Sequence, residues 1–150
     1  MRIKLLSLLI IIVFMAAACS TVPFARREEN IMKAVDLINL GDTAKLADLS
    51  QQPFLFDAEI VMMERDIEMM WRNISEAGFR IINPELVEAM EVSPKSYAQF
   101  GNSFEVETYF KKYLPEETTL ARIVAENGEF LFLLHGRQDG YPQIYGFKVM

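Results

Sequence analysis

This sequence predicts an α+β domain, with N-terminal helices packed on a curved antiparallel sheet that closes in a C-terminal β-meander. Three observations predict it. Apolar residues recur at helical spacing after residue 28, as at Ile31, Ala34, Val35 and Ile38. Further on, Asn127-Gly128 stands between two apolar runs, a strong short-range hairpin signal. Phe130 to Leu134 is apolar at every position, as a strand covered on both faces must be. Helices first and strands last place the helices on one face of the sheet.

The elements follow in order. Glu28 and Glu29 suit the positive end of a first helix, and Gly41 ends it. Asp42 is the expected N-cap of a second, short helix carrying Leu46 and Leu49. Pro53-Phe54-Leu55-Phe56 reads as a short strand or extended segment. A long helix is expected from Glu59 to Ala77, with Ile60, Met63, Ile67, Met70 and Ile74 as its stripe, Trp71 widening it and Gly78 stopping it. Phe79 to Ile82 reads as a strand ended by Asn83-Pro84. Between Glu85 and Gly101, Leu86-Val87 and Met90 to Val92 carry strand character, and Ser93-Pro94 marks a turn. Asn102-x-x-Glu105 fits a capping box. It opens a helix bearing Val106, Tyr109, Phe110 and Tyr113, which Pro115 stops. The hairpin then takes Thr119 to Glu126 and Glu129 to His135. A turn at Arg137 to Gly140 leads to a last strand, Gln143 to Val149, with Ile144, Gly146 and Lys148 alternating against Tyr145, Phe147 and Val149.

The chain has 150 residues, enough for one ordinary domain. Fifteen basic residues against twenty-one acidic ones give −6. That balance excludes a general nucleic-acid binder, which needs a basic face to neutralise phosphates. One Cys and one His exclude a disulfide framework and a zinc finger. No nucleophile elbow, phosphate loop, H-E-x-x-H pair or calcium-loop spacing is present. Neither a cofactor nor a metal is expected.

The N-terminus carries the clearest signal. After Met1-Arg-Ile-Lys4, residues 5–18 are apolar except for Ser7. Fourteen residues are too few for a span of roughly 20 and suit the core of a signal peptide. The run ends Ala16-Ala17-Ala18-Cys19-Ser20, with the chain's only Cys directly after small residues. This resembles the lipobox of bacterial lipoproteins, with Ala16 in place of the usual Leu. The resemblance implies that residues 1–18 are removed, that Cys19 receives diacylglycerol and then an N-acyl chain, and that the membrane holds the protein by lipid. In enterobacterial lipoproteins an Asp after the Cys retains the protein at the inner membrane, so Ser20 implies the outer membrane. An ordinary secretory signal cut after Ala18, or an uncleaved anchor, are the other readings. The mature chain loses Arg2 and Lys4, leaving thirteen basic residues against twenty-one acidic ones, or −8. Residues 19–27 read as lipidated Cys and short tether, with a reach of roughly 26–29 Å over eight residues, and residues 28–150 as the domain.

The first two helices around Leu40-Gly41-Asp42, the Pro53-to-Asp57 segment, the Trp71-bearing helix, and the closing hairpin and strand together resemble the NTF2-like, or cystatin-like cone, superfamily. That resemblance implies a bent sheet wrapped around a long helix with an apolar cavity at its open end. The helix expected near residues 102–114 departs from the pattern. The superfamily holds isomerases, dehydratases and non-catalytic binding domains, so fold does not decide function. Its isomerases use a cavity-facing carboxylate, for which Asp57 and Glu59 are the nearest candidates. As helix caps, the same two residues would do no chemistry. His135 ends the central strand, where it serves either as a base or as a half-exposed turn residue.

Met63, Met70, Trp71, Phe79, Phe132 and Tyr145 are the expected lining of an apolar pocket, or its filling. The expected function is therefore a membrane-anchored lipoprotein with a non-catalytic domain for an apolar small molecule, a peptide or an envelope protein. The alternatives are an assembly lipoprotein acting through surface contacts and an isomerase- or dehydratase-type enzyme.

Overall fold

The computed structural model describes residues 21–150, so the expected signal peptide and Cys19 lie outside the described residues. A 3₁₀ turn, Phe24–Arg26, leads into α1 (Glu28–Leu40), α2 (Thr43–Leu49), β1 (Ser50–Phe56) and β2 (Glu59–Val61). Next come α3 (Glu64–Glu76), β3 (Glu85–Glu91), a second 3₁₀ turn (Ser96–Gln99) and α4 (Phe104–Lys112). Strands β4 (Thr119–Ala125), β5 (Gly128–Gln138) and β6 (Tyr141–Val149) close the chain. The class is α+β. Among the described residues there are four α-helices and one open six-stranded sheet, ordered β2-β1-β6-β5-β4-β3.

The sheet is mixed, which corrects the antiparallel expectation. Strand β1 runs parallel to β6, and every other neighbouring pair is antiparallel. After β2 the chain crosses through α3 to the opposite edge, so β1 finds its second neighbour only in the last strand.

The first two helices form as their caps dictate. Gly41 takes the left-handed conformation (φ 69°) and its N–H reaches the Ile38 carbonyl, while Asp42 accepts from Lys45 N–H at 3.1 Å. The helix expected from Glu59 begins only at Glu64. Residues 59–61 instead pair with Phe54–Phe56 as a hairpin. Asp57 turns that hairpin with φ 52°, and β-branched Ile60 and Val61 suit a strand. Glu64 and Asp66 then charge the first turn of α3, whose buried face is Ile67 and Trp71.

Phe79 to Ile82 is no ladder strand. Its backbone is satisfied by two asparagine side chains, which the apolar pattern of this segment does not reveal. Asn39 exchanges both hydrogen bonds with Ile81 (2.7 and 3.0 Å), and Asn127 accepts from Ile82 N–H (3.0 Å) and donates to Arg80 O (2.7 Å). Asn127 therefore sits in the two-residue turn with Glu126, one position earlier than an Asn-Gly turn, since Ala125 pairs with Gly128. Helix α4 is capped by Ser103, not Asn102; the Ser103 hydroxyl accepts from Val106 N–H at 3.2 Å.

Two apolar clusters lie on opposite faces of the sheet. One packs α1, α2 and α3 against Phe54, Phe130, Phe132, Ile144 and Phe147. The other packs Val106, Tyr109 and Phe110 of α4, with Phe100, against Leu55, Leu120, Leu131 and Leu133. Helices therefore cover both faces, which corrects the one-face expectation and explains the helix between β3 and β4. Phe130 to Leu134 is fully buried, as a strand between two layers requires.

The alternation expected for the last strand breaks at Tyr145. Leu133 pairs with Gly146 but Leu134 with Ile144, so Tyr145 is the extra residue of a β-bulge. As a result Ile144 and Phe147 share the first face, while Tyr145 belongs to the second cluster. Part of the segment expected as a tether packs on the domain. Ala25 is only 2% exposed and belongs to the first cluster, and Asn30 Nδ2 donates to Phe24 O at 2.9 Å. The packed chain starts at Pro23, because Pro23 and Phe24 are half-buried and Ala25 is buried, while Val22 is exposed.

A Cβ at Gly146 would lie 2.9 Å from Leu55 O and 3.0 Å from Leu133 Cδ1. The carbonyl belongs to the β1 backbone and cannot swing aside. Gly146→Ala is expected to destabilise the domain by about 1–3 kcal/mol, read as a lower urea midpoint. An unchanged midpoint would show that β1 and β6 are not in this register.

Candidate functional site

Two of the sequence-expected polar residues stand at one end of the sheet and the third at the other. Asp57 sits where β1 and β2 meet. Its N–H donates to Phe147 O and its Oδ1 accepts from Val149 N–H, both at 2.9 Å. The carboxylate thus braces β6 and caps no helix. Glu59 is exposed at the start of β2. His135 lies toward the opposite end of β6, paired with Gln143, and its ring meets Tyr145 edge-on at 6.2 Å.

The expected pocket lining is also divided. Trp71 is buried, and its indole N–H donates to Ser50 Oγ at 2.9 Å. Its ring lies 5.6 Å from Phe147, which also meets Phe132 at 4.9 Å and Phe79 at 6.4 Å. Met70 packs at the edge of the same cluster. These rings touch one another, so they fill the space between sheet and helices. Met63 is the N-cap of α3 and 54% exposed. Tyr145 lies on the other face of the sheet.

That second face carries a polar clamp which no sequence signal marked. The Tyr109 hydroxyl lies 2.7 Å from Tyr145 O and 3.0 Å from Pro53 O. These carbonyls lie where β6 bulges and the register of β1 shifts, and α4 brings a phenol to them. Burial pushes the Tyr109 phenol well above its ordinary range, with a smaller coulombic contribution from Tyr145, and burial raises Tyr145 itself.

Beside the clamp, between the end of β3 and the end of α4, opens a cleft of about 540 Å³. Val92, Pro94, Phe110, Leu114 and Pro115 give it apolar walls, and Glu91, Lys111, Glu116 and Glu117 give it a charged rim. Local chemistry builds both lips. Ser93 N–H donates to Ser96 Oγ (2.9 Å), which folds the chain after β3. Pro115 stops the polypeptide after α4, and its carbonyl accepts from the Thr118 hydroxyl (2.7 Å). Val92 N–H then donates to Thr118 O (2.8 Å), joining the lips. The two prolines, each after a turn-forming or apolar residue, were the available sequence signal. A second cleft of about 400 Å³ between α2 and α3 is lined by Asp48, Glu64, Glu68 and Arg72, a polar and charged surface. Among the described residues no group of three or more His, Cys, Asp or Glu side chains is placed to hold a metal ion. No described helix is long and apolar enough to cross a membrane.

The chain matches no known protein family and no curated protein sequence.

Tyr109→Phe leaves buried carbonyls with no phenol to serve them, and it is expected to cost about 1–3 kcal/mol at neutral pH. The folded chain also retains the two phenolic protons at a pH where the unfolded chain sheds them, about pH 10. Their contribution to stability is therefore complete below that pH and is lost as pH rises above it. Urea titrations across the alkaline range should show a shallower decline for Tyr109→Phe than for the parent.

Proposed function

We propose that this chain is a bacterial envelope lipoprotein. Residues 1–18 are its signal peptide, Cys19 is its lipid attachment site, Ser20 directs it to the outer membrane, and the domain from Pro23 onward is a non-catalytic binding module. The NTF2-like cone is the fold reading we favour. Its support is the strand order β2-β1-β6-β5-β4-β3, in which β4, β5 and β6 are antiparallel neighbours, with three helices on one face; α4 on the second face is an addition to that plan.

The observation that carries binding over catalysis is spatial. Asp57 and Glu59 stand at one end of the sheet and His135 toward the other, while the apolar cleft lies beside neither carboxylate. A general base needs to reach its substrate within hydrogen-bond distance, and these groups share no cavity. The cleft offers what a binding site needs instead: apolar walls for affinity and a charged rim for orientation. Because aromatic rings fill the interior, the ligand is an apolar group or short peptide segment held at the surface.

Native mass spectrometry of the mature domain purified from its own host tests the binding reading. An apolar or peptidic adduct is expected, and Leu114→Lys is expected to remove it by placing a charge in the cleft wall. An adduct that survives Leu114→Lys would move the site elsewhere, and a bare parent mass would favour surface contacts. Acyl labelling tests the anchor separately: Cys19→Ala should abolish it, and normal labelling of that variant would sink the lipoprotein reading.

A further inference from the structure

The short N-terminal segment and the charges around it set how the domain sits at a bilayer; this inference rests on the proposed attachment at Cys19. Only Ser20, Thr21 and Val22 separate Cys19 from Pro23, where the domain begins. Four Cα–Cα steps span at most roughly 13–14 Å. A lipid at Cys19 therefore holds Pro23, at the entry to the Phe24–Arg26 turn, within one to two Debye lengths of the headgroups, given about 8 Å at physiological salt. At that distance surface charge still acts on the protein.

In an acidic chain, three basic side chains converge on two aromatic rings. Lys33 Nζ lies 5.7 Å and Arg137 Cζ 5.1 Å from the Phe24 ring centroid; Lys33 and Lys45 lie 6.0 and 5.6 Å from the Tyr141 ring. Lys45 is matched by Asp48 and Asp139, and Arg26 by Glu91. Lys33, Arg137 and Arg27 have no carboxylate within salt-bridge distance among the described residues. Arg27 is followed by Glu28 and Glu29 in sequence, so Lys33 and Arg137 carry the attraction. The Gly140 carbonyl and Asn30 Oδ1 fix Lys33 at 2.9 and 3.0 Å, which holds the β5–β6 turn against α1.

We infer that this edge, built from Phe24, Lys33, Arg137 and Tyr141, is a docking surface for an anionic phospholipid bilayer and turns the start of β6 toward the membrane. Aromatic rings beside cations suit the headgroup layer, and each basic residue near an anionic surface biases the orientation by roughly fivefold.

The two ends of β6 provide the test. The mature chain is coupled through Cys19, its only thiol, to a maleimide lipid in phosphatidylglycerol-containing vesicles, with Tyr141→Trp or Met150→Trp as reporter. Buried Trp71 is the internal reference. Nitroxide-headgroup lipids should quench the tryptophan at position 141 and spare the one at 150. Adding Lys33→Gln and Arg137→Gln, or replacing the vesicles with pure phosphatidylcholine, should bring the two reporters together. Equal quenching at both ends in the anionic vesicles, or a pattern indifferent to the two substitutions, would overturn the inference. Failure of natural acylation would show instead as a missing acyl mass on chain purified from membranes. It would leave the vesicle result standing, because the tether there is chemical.

Discussion

The close approach of β1 to β6 is the contact on which the rest of the molecule depends. At Gly146 the two backbones come so near that a single carbon would collide with Leu55 O. That approach makes the sheet mixed and carries the β1–β2 hairpin as its edge. It also places the next residue, Phe147, where five aromatic rings meet it: Phe56, Trp71, Phe79, Phe130 and Phe132. Aromatic side chains bury large areas with preferred offset and edge contacts, so one ring connects three strands, helix α3 and the loop after it. Glycine and phenylalanine at successive positions thus do opposite things, one by having no side chain and the other by having a large one.

A seam of this kind leaves polar groups to be satisfied. The bulge at Tyr145 and the irregular register before Leu55 interrupt the regular ladder, and a buried carbonyl short of hydrogen bonds is costly. Tyr109 resolves this from the other face. Helix α4 is therefore held to the sheet by a phenol at the same point that Phe147 holds from the first side. The surface cleft is a consequence, since α4 must end and turn back near the end of β3 to deliver that hydroxyl, and Pro94 and Pro115 mark the two turns.

The sequence made some of this legible. Glu28, Gly41 and Asp42 place the first two helices because capping is local chemistry. The burial of Phe130 to Leu134 on both faces is written in its composition. The start of α3 was not legible, because Ile60 and Met63 continue a helical stripe that the β1–β2 pairing overrides. Nor was the support of Phe79 to Ile82, since Asn39 and Asn127 act over more than forty residues of sequence. The register of β6 was hidden for a similar reason: a bulge inserts one residue and moves Tyr145 off the alternation that periodicity assumes. Of the residues expected to line a pocket, Trp71, Phe79, Phe132 and Met70 do gather. They gather as packing, while the cleft is built from residues whose importance depends on two turns meeting.

The N-terminal turn bears on both the fold and the proposed anchor. A tether free to residue 27 would let the domain rotate at a distance where salt screens the membrane's charge. Burial of Ala25 and the bond from Asn30 to Phe24 remove that freedom and shorten the linker to three residues beyond the Cys. The cleft shares this end of the sheet, because Glu91 on its rim lies 3.6 Å from Arg26 of the same turn. The proposed anchor, the proposed docking edge and the apolar cleft are thus joined through Phe24–Arg26. On the proposed reading, a ligand approaching the cleft meets it close to the lipid surface, and the charge at that edge governs both how the domain stands and what can reach the site.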